Sequence, residues 1–341
     1  MDHYKWSLRA GAVMILCAFL LRLTATGFFM PMVRLLTKPN IASMIIYLET
    51  GRVVRFSDSP GDTTVFAPVL YQVPEATQPP DIPTVPVAPE IPVFTADDAR
   101  KVQILGAALT ADPKQLIQKP LEWDLTGEEP TVLILHTHAT ESFTRAAGER
   151  YTESSAFRTL SEEYNMVSIG NRVAQLLEAG GITVLHDRQL HDYPSYNGSY
   201  THARKSIQQY LEEYPSIRLV LDLHRDASGD NNNQMTTSAT VNGEPSAQIM
   251  LVVAIGTDSR PVPQWRTNLA LGLKLHVQLE RTAPGICRYI NLRASRFNQD
   301  LSPGALLVEV GAAGNSHAEA LKAAEVLAEA VIALKYGANL E

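Results

Sequence analysis

Residues 131–141 of this 341-residue chain read TVLILHTHATE, an apolar run that leads directly into two histidines and a glutamate. An uninterrupted apolar run of this length is typical of a strand that is covered on both faces, as in a parallel sheet. Similar runs recur further along the chain, at residues 182–185, 218–223, 249–255 and 305–310. They predict five strands, and those at 131–135, 218–223 and 249–255 are predicted to be buried.

Amphipathic helical patterns separate these predicted strands. Apolar residues recur at helical spacing at residues 165–179, 200–214 and 267–279, and a long last helix is predicted from about residue 316. Ser316 and Glu319 have the spacing of a capping box, which specifies the start of that helix. Strands that alternate with helices predict an α/β fold whose mostly parallel sheet is flanked by helices.

Polar side chains stand at the carboxyl ends of four predicted strands, which is where the sites of open α/β sheets form. They are His136, His138 and Glu141 after the first strand, His186 and Asp187 after the second, His224, Arg225 and Asp226 after the third, and Glu309 in the last. Because parallel strands end at one edge of the sheet, we expect these side chains to lie close together.

Two imidazoles and a carboxylate are a ligand set that suits zinc. A catalytic zinc ion takes three protein ligands, keeps one position for water and lowers the pKa of that water to about 7. A second carboxylate, which does not bind the metal, then transfers the proton of the water to the leaving amine. Glu309 fits this second role, because a charge in an apolar strand is costly unless it faces a metal, a base or a cleft.

Each of these signals also has an ordinary structural explanation. A pair such as His136 and His138 is more often structural or exposed than metal-binding. The polar run at residues 222–226 is also what a salt-bridge cluster would look like, and Glu309 could pair with Arg225 in the core. Their coincidence at one predicted sheet edge makes a metal site and these explanations about equally good alternatives.

The amino-terminal part of the chain has the features of a membrane anchor. Residues 11–33, GAVMILCAFLLRLTATGFFMPMV, form an apolar stretch interrupted by one charge, Arg22. A transmembrane helix needs about 20 predominantly apolar residues, so the length predicts a single span, with a cleaved signal peptide and a buried helix as alternatives. A short tail before this stretch and a large region after it favour an amino terminus inside and a remainder outside the cytoplasm.

A proline-rich stretch follows at residues 73–94, where seven prolines recur at short intervals. Proline fixes φ and removes a hydrogen-bond donor, so this stretch predicts an extended polyproline II spacer. We therefore expect a cytoplasmic tail and transmembrane anchor at residues 1–35, a stalk with the proline-rich linker at 36–100, and an α/β domain at 101–341.

Composition argues against several other classes of protein. A formal net charge of −7 leaves no basic excess for a nucleic-acid partner. The two cysteines, Cys17 and Cys287, cannot form a disulfide framework. The chain also lacks the H-E-x-x-H, G-x-S-x-G, Walker A and G-x-G-x-x-G motifs, which disfavours the metal-helix, serine-hydrolase and nucleotide sites that those motifs build.

Four stretches of the sequence resemble the stage II sporulation protein P family. They are residues 132–143 (VLILHTHATESF), residues 186–200 with two His-Asp pairs and YNGSY, residues 221–227 (LDLHRDA), and residues 298–304 (NQDLSPG) leading into 307–311 (LVEVG). The resemblance extends over residues 130–335 of the chain. An amino-terminal anchor followed by a spacer also matches the layout of this family.

The resemblance implies a zinc amidase-like fold and a hydrolase of the cell wall. Members are similar to zinc amidases that cleave the bond between N-acetylmuramic acid and L-alanine in peptidoglycan, and the family is also credited with cleavage of peptide cross-links. It implies action on the septal wall during spore engulfment, from the cell membrane, with the catalytic domain outside the cytoplasm. The implied partners are peptidoglycan and other engulfment proteins such as a lytic transglycosylase.

The resemblance also implies roles for individual residues. Glu309 is the expected catalytic residue. His138 is an alternative to His136 as a ligand, and His138 and Arg225 are candidates for contacts with the substrate. A non-catalytic membrane anchor that recruits a wall-degrading partner is the alternative function. The expected ligands of Zn²⁺ are His136, Glu141 and His224.

Overall fold

The structure is a computed structural model that describes residues 91–230 and 233–340. The predicted membrane span and nearly all of the predicted spacer lie outside these residues. Within the described residues, no helix is long and apolar enough to cross a membrane. The division of the chain into anchor, stalk and α/β domain stays a prediction.

The described residues form helices and strands in alternation. The helices are α1 (Ala96–Ala99), α2 (Pro113–Ile117), α3 (Met166–Ala179), α4 (Ser199–Glu213), α5 (Trp265–Thr282) and α6 (His317–Ala333). The strands are β1 (Ile104–Gly106), β2 (Val132–Leu135), β3 (Glu153–Ser155), β4 (Arg158–Thr159), β5 (Val184–His186), β6 (Leu219–Asp226), β7 (Gly229–Asp230), β8 (Asn233–Gln234), β9 (Ala239–Val241), β10 (Glu244–Ser246), β11 (Ile249–Ala254), β12 (Gly256–Thr257), β13 (Arg260–Pro261), β14 (Ile290–Arg293) and β15 (Ala305–Ala312).

The predicted elements correspond to observed ones in chain order. The five predicted strands become β2, β5, β6, β11 and β15, of which β5 is a half-buried edge strand, and the helical patterns become α3, α4, α5 and α6. The predicted capping box is present at the start of α6: the Ser316 hydroxyl accepts from the Glu319 amide, and the Glu319 carboxylate accepts from the Ser316 amide. These reciprocal bonds satisfy amides that have no partner within the helix.

Seven strands form the central sheet, in the order β1-β14-β11-β15-β6-β2-β5. All neighbours are parallel except β11 and β15, which are antiparallel, so the prediction of a mostly parallel sheet is confirmed. The exception has a simple cause. Residues 294–304, between β14 and β15, contain no helix that would return the chain to the starting edge of the sheet, so β15 runs in the opposite direction.

The two faces of this sheet are covered differently. On one face, here called the three-helix face, Ile134, Leu221 and Val308 belong to one apolar cluster with residues of α3, α5 and α6. On the opposite face, here called the α4 face, Leu133 and Val220 pack with residues of α4. Successive residues of a strand point to opposite faces, so each strand contributes to both layers.

The α4 face is apolar only along part of its length. In β6 the residues that share this face are Val220, Asp222 and His224, so apolar character gives way to charge toward the carboxyl end. On the neighbouring strand β15, Glu309 is the register partner of His224. The sheet itself therefore places an imidazole and a carboxylate side by side.

Candidate active site

The two histidines that follow β2 have different surroundings. The Nδ1 atom of His136 lies 3.0 Å from the Leu223 carbonyl oxygen, and its Nε2 atom lies 2.8 Å from His186 Nε2. Because a carbonyl only accepts, Nδ1 carries the proton and the lone pair of Nε2 accepts from His186. Burial lowers the pKa of His136 to about 4, which keeps this ring neutral. Both ring nitrogens of His136 therefore already have hydrogen-bond partners.

His138 lies on the other side of this segment, in an aromatic cluster. Its ring stacks on Tyr196, with centroids 4.5 Å apart, and meets His224 edge-on at 5.3 Å. The Nδ1 atom of His138 is buried and has no hydrogen-bond partner among the described residues. A buried nitrogen without a partner is costly, so it points to a group that completes the site.

His224 stands between two carboxylates. Its Nε2 atom lies 2.9 Å from Asp222 Oδ1, though without the alignment of a hydrogen bond, and its Nδ1 atom lies 3.6 Å from Glu141 Oε2. Burial disfavours the charged imidazole, but Asp222 and Glu141 outweigh burial and raise the pKa of His224 well above its usual value. Asp222 is itself fixed, because its two oxygens accept from the amide and the hydroxyl of Thr137 at 2.8 and 2.6 Å.

Two arginines hold the Glu141 carboxylate. Arg158 Nη2 lies 3.2 Å and Arg225 Nη1 lies 3.8 Å from Oε1. Oε2 faces His224 and accepts from the backbone amide of Arg225 at 3.4 Å. Burial raises the pKa of Glu141, but Arg225 and the neighbouring histidines lower it well below its usual value, so this carboxylate is ionised. Arg158 also binds Asp192 at 2.6 Å, which ties Glu141 to the loop after β5.

Arg225 has a structural role in the described residues. Its guanidinium donates to the carbonyls of Ser142 and Phe157 at 3.0 and 2.9 Å, and its side chain is only 4% exposed. It therefore fixes the segment that carries Glu141. A direct contact with substrate, one of the predicted roles, would require this buried guanidinium to change partners.

Glu309 combines partial exposure with an unpartnered atom. The residue is half-buried, but its Oε2 atom is buried and has no hydrogen-bond partner among the described residues. Burial raises the pKa of Glu309 to about 8, an effect that His224 opposes and Glu141 reinforces. A carboxylate with a pKa near neutrality can both accept and return a proton, which is what a general base that later acts as an acid must do.

The site has the donors of a zinc centre, although the ligands are not arranged around an ion. Among the described residues no group of three or more His, Cys, Asp or Glu side chains forms a ready metal site. The 3.6 Å between His224 Nδ1 and Glu141 Oε2 is too long for a hydrogen bond and within the separation of two atoms that bind one zinc ion. Five buried side-chain atoms of the described residues lack a hydrogen bond, and two of them, His138 Nδ1 and Glu309 Oε2, belong here and face no charged partner at close range. The residues present therefore fit zinc.

The structure thus brings most of the predicted site residues together. It gathers His138, Glu141, His224, Arg225 and Glu309, and it sets His136 apart against His186. Whether His136 or His138 binds the metal stays a prediction, and the free nitrogen favours His138.

Three residues that shape the site were not among the predicted site residues. Asp222 could have been found, because it lies two residues before His224 in a strand and so shares its face. Arg158 gives no such signal, since it lies in the two-residue strand β4. The ring centroids of Tyr200 and His138 lie 5.5 Å apart, and the start of α4 places Tyr200 there.

The sequence profile of a known family, described as Stage II sporulation protein P (SpoIIP), matches residues 93–332. The chain belongs to this family. It is also 26% identical over 296 residues to Stage II sporulation protein P of Bacillus subtilis (strain 168), which covers 83% of this chain and 70% of that protein. The predicted resemblance is confirmed, and the family supports a role in sporulation.

Solved structures of amidases are similar to the chain at a low level. The N-acetylmuramoyl-L-alanine amidase AmiC2 of Nostoc punctiforme has 15% identity and a TM-score of 0.34, covering 62% of this chain and 97% of that one. The CwlD amidase from Clostridioides difficile, in complex with the GerS lipoprotein, has 12% identity and a TM-score of 0.36, covering 59% and 96%. TM-scores this low establish neither a shared fold nor a shared activity.

Proposed function

We propose that this protein is a zinc-dependent peptidoglycan hydrolase that cleaves the amide between N-acetylmuramic acid and L-alanine during septal wall degradation in spore engulfment. Membership of the Stage II sporulation protein P family supports the process and the wall substrate. The observation that carries the chemistry is the pair of buried, unpartnered atoms on His138 and Glu309, beside the ring of His224.

His138, Glu141 and His224 would hold the zinc ion. When bound, zinc supplies a Lewis acid that polarises the scissile carbonyl and lowers the pKa of the reacting water. The residues around the ligands fix their orientation: Asp222 lies against one nitrogen of His224, and Arg158 holds one oxygen of Glu141. Outer contacts of this kind orient metal ligands and tune their basicity.

Glu309 moves the proton. In its ionised form it accepts a proton from the water as the oxygen of that water adds to the amide carbon. It then gives the proton to the amide nitrogen, the C–N bond breaks, and L-alanine leaves with a free amino group. Its place beside His224 in the sheet register puts it next to the ligands without making it one.

The membrane location and partners are part of the same proposal. The predicted span at residues 11–33 and the proline-rich spacer would hold the hydrolase outside the cytoplasm, within reach of the wall. A lytic transglycosylase is the proposed partner, because complete removal of the wall requires cleavage of glycan strands as well as of stem peptides.

The test is a digestion of purified peptidoglycan by the full chain in detergent, with and without a zinc chelator. We expect stem peptides with a free L-alanine amino group, whose release stops with the chelator and returns with added zinc. The Glu309→Gln variant should bind zinc as the wild type does and release no peptide. Undiminished release by that variant would contradict the proposal.

Two other outcomes identify the rival functions. Conversion of muropeptide dimers to monomers, without release from muramic acid, would assign a peptidase of cross-links. Absence of both stoichiometric zinc and cleavage would favour a non-catalytic anchor that recruits a wall-degrading partner.

A further inference from the structure

Tyr200 lies at the candidate active site, and nothing in the zinc centre accounts for its hydroxyl group. It is the second residue of α4, and its ring meets His138 nearly perpendicularly, with centroids 5.5 Å apart. The residue is half-buried. The hydroxyl makes no hydrogen bond to any residue that the structure describes. The hydroxyl is not among the buried atoms without a partner, so it is open to water or to a bound substrate.

The segment before β15 also holds Tyr200 in place. The Phe297 ring lies 5.6 Å from the Tyr200 ring, and the Asn298 amide donates to the Tyr200 carbonyl at 2.9 Å. Phe297 and Asn298 have φ values of 47° and 56°, a left-handed conformation that is uncommon for residues other than glycine. Such backbone persists where surrounding contacts over-determine it, and it is frequent at functional sites.

A salt bridge secures the same segment to α4. Arg204, one turn after Tyr200, binds both oxygens of Asp300 at 2.9 and 2.8 Å. Residues 298–304 are the NQDLSPG stretch noted in the sequence, and none of them takes part in the zinc centre. Within this stretch Asn298 and Asp300 contact the first two turns of α4, whereas Gln299 bonds to β11.

A phenol hydroxyl can donate a hydrogen bond, and the ring that carries it lies against His138, one of the proposed zinc ligands. The position therefore suits a donor aimed at negative charge that develops only during the reaction.

We propose that Tyr200 is a further catalytic residue, whose hydroxyl donates a hydrogen bond to the carbonyl oxygen of the scissile amide as that oxygen gains negative charge. This inference rests on the proposed amide hydrolysis. Addition of water to the carbonyl carbon moves an electron pair onto the oxygen, and loss of the amine moves it back. A fixed donor that meets the oxygen in that interval lowers the barrier without being consumed.

The test compares Tyr200→Phe with Tyr210→Phe in the full chain, on a soluble muropeptide. Both variants lose one hydroxyl from α4, but Tyr210 lies near the other end of the helix. We expect kcat of Tyr200→Phe to fall about 100-fold, the size of effect seen when one oxyanion donor is removed. The KM and the zinc affinity of Tyr200→Phe should be unchanged, with zinc affinity measured by competition with a chromophoric chelator. The Tyr210→Phe variant should match the wild type in all three quantities.

Other results would overturn the inference. An unchanged kcat would show that the hydroxyl takes no part in the reaction. A rise in KM alone would assign Tyr200 to substrate binding, and a parallel loss of zinc affinity would assign it to the support of His138. A wild-type chain that binds zinc and cleaves no amide would overturn the proposed function, and this inference with it.

Discussion

The three-helix face and the α4 face of the sheet are built from the same strands, yet along β6 and β15 the first stays apolar further than the second. On β6, Leu221 and Leu223 point to the three-helix face, whereas Asp222 and His224 point to the α4 face. On β15, Val308 packs with the helices and its neighbour Glu309 does not. Successive residues of one strand therefore point in turn to the packed apolar layer and to the candidate active site.

The segment after β2 shows the same division on a smaller scale. His136 packs beneath α3, where a Cβ atom added to Gly170 would lie only 2.4 Å from its Nε2 atom. His138 joins the α4 face and keeps a free nitrogen. Two histidines of one motif therefore belong to different faces, and variants of each should have different consequences.

The largest expected difference is between His138→Ala and His136→Ala. Loss of a zinc ligand should lower the zinc affinity of His138→Ala by more than about 100-fold, beyond the effect of an outer-shell change, and abolish amide cleavage. His136→Ala should keep its zinc affinity and lose about 1–3 kcal/mol of unfolding free energy, because His186 is left without its buried partner. Zinc titration and denaturant unfolding measure the two effects, and the reverse pattern would make His136 the ligand.

The second prediction concerns Gly170, on the three-helix face. The added Cβ of Gly170→Ala would meet His136 and His186 nitrogens at 2.4 and 2.5 Å, so the variant should lose about 1–3 kcal/mol of unfolding free energy. Gly272→Ala is the matched control on α5, since its Cβ would meet Val253 at an ordinary 3.4 Å. That variant should be neutral or gain up to about 1 kcal/mol. Equal stability of the two variants would contradict the close packing of His136 beneath α3.

On the α4 face, Asp222→Asn should weaken zinc binding. An amide is a poorer partner for the His224 imidazole than a carboxylate, so we expect a loss of affinity of about 10-fold, at the lower end for outer-shell residues. Asp226→Asn, at the end of the same strand and paired with Arg288, is the control and should leave the affinity unchanged. If both variants bind zinc like the wild type, Asp222 does not orient His224.

The smallest expected effect is at Lys274 of α5, one of the helices that cover the three-helix face. Burial, with a smaller effect from Lys119, lowers the pKa of Lys274 to about 8. Below that pH both folded and unfolded states carry the proton, so the cost of the buried charge is fully present. As pH rises toward the unfolded pKa of about 10.4, the folded state loses the proton first and the cost disappears.

Lys274→Met should therefore raise the Tm at neutral pH by about 2–4 °C, which corresponds to about 1 kcal/mol, and the gain should vanish near pH 10. Thermal unfolding of the full chain at the two pH values measures it. Lys205→Met, which removes an exposed charge from α4, should show no such pH dependence. A gain that persists at high pH would attribute the effect to packing instead of charge.

Much of the fold follows from local pattern, because the buried runs and the capping box at Ser316 are short-range signals that tertiary contacts did not override. The pairing of His224 with Glu309 also follows, since both stand where parallel strands end. The surroundings of His136 could not be predicted from local pattern, because they depend on His186, which lies fifty residues away in the sequence. Arg158 could not be foreseen either, since it reaches Glu141 from an irregular segment.

The reversed direction of β11 has a consequence for how such a protein can diversify. Because β11 is antiparallel to β15, the chain enters β11 at the edge where Glu309 stands, and the preceding segment packs there through Thr237 and Asn315. That segment supplies none of the proposed ligands. Insertions and deletions in it can reshape the rim of the cleft and leave the zinc residues untouched, so substrate choice and catalytic chemistry are free to evolve separately.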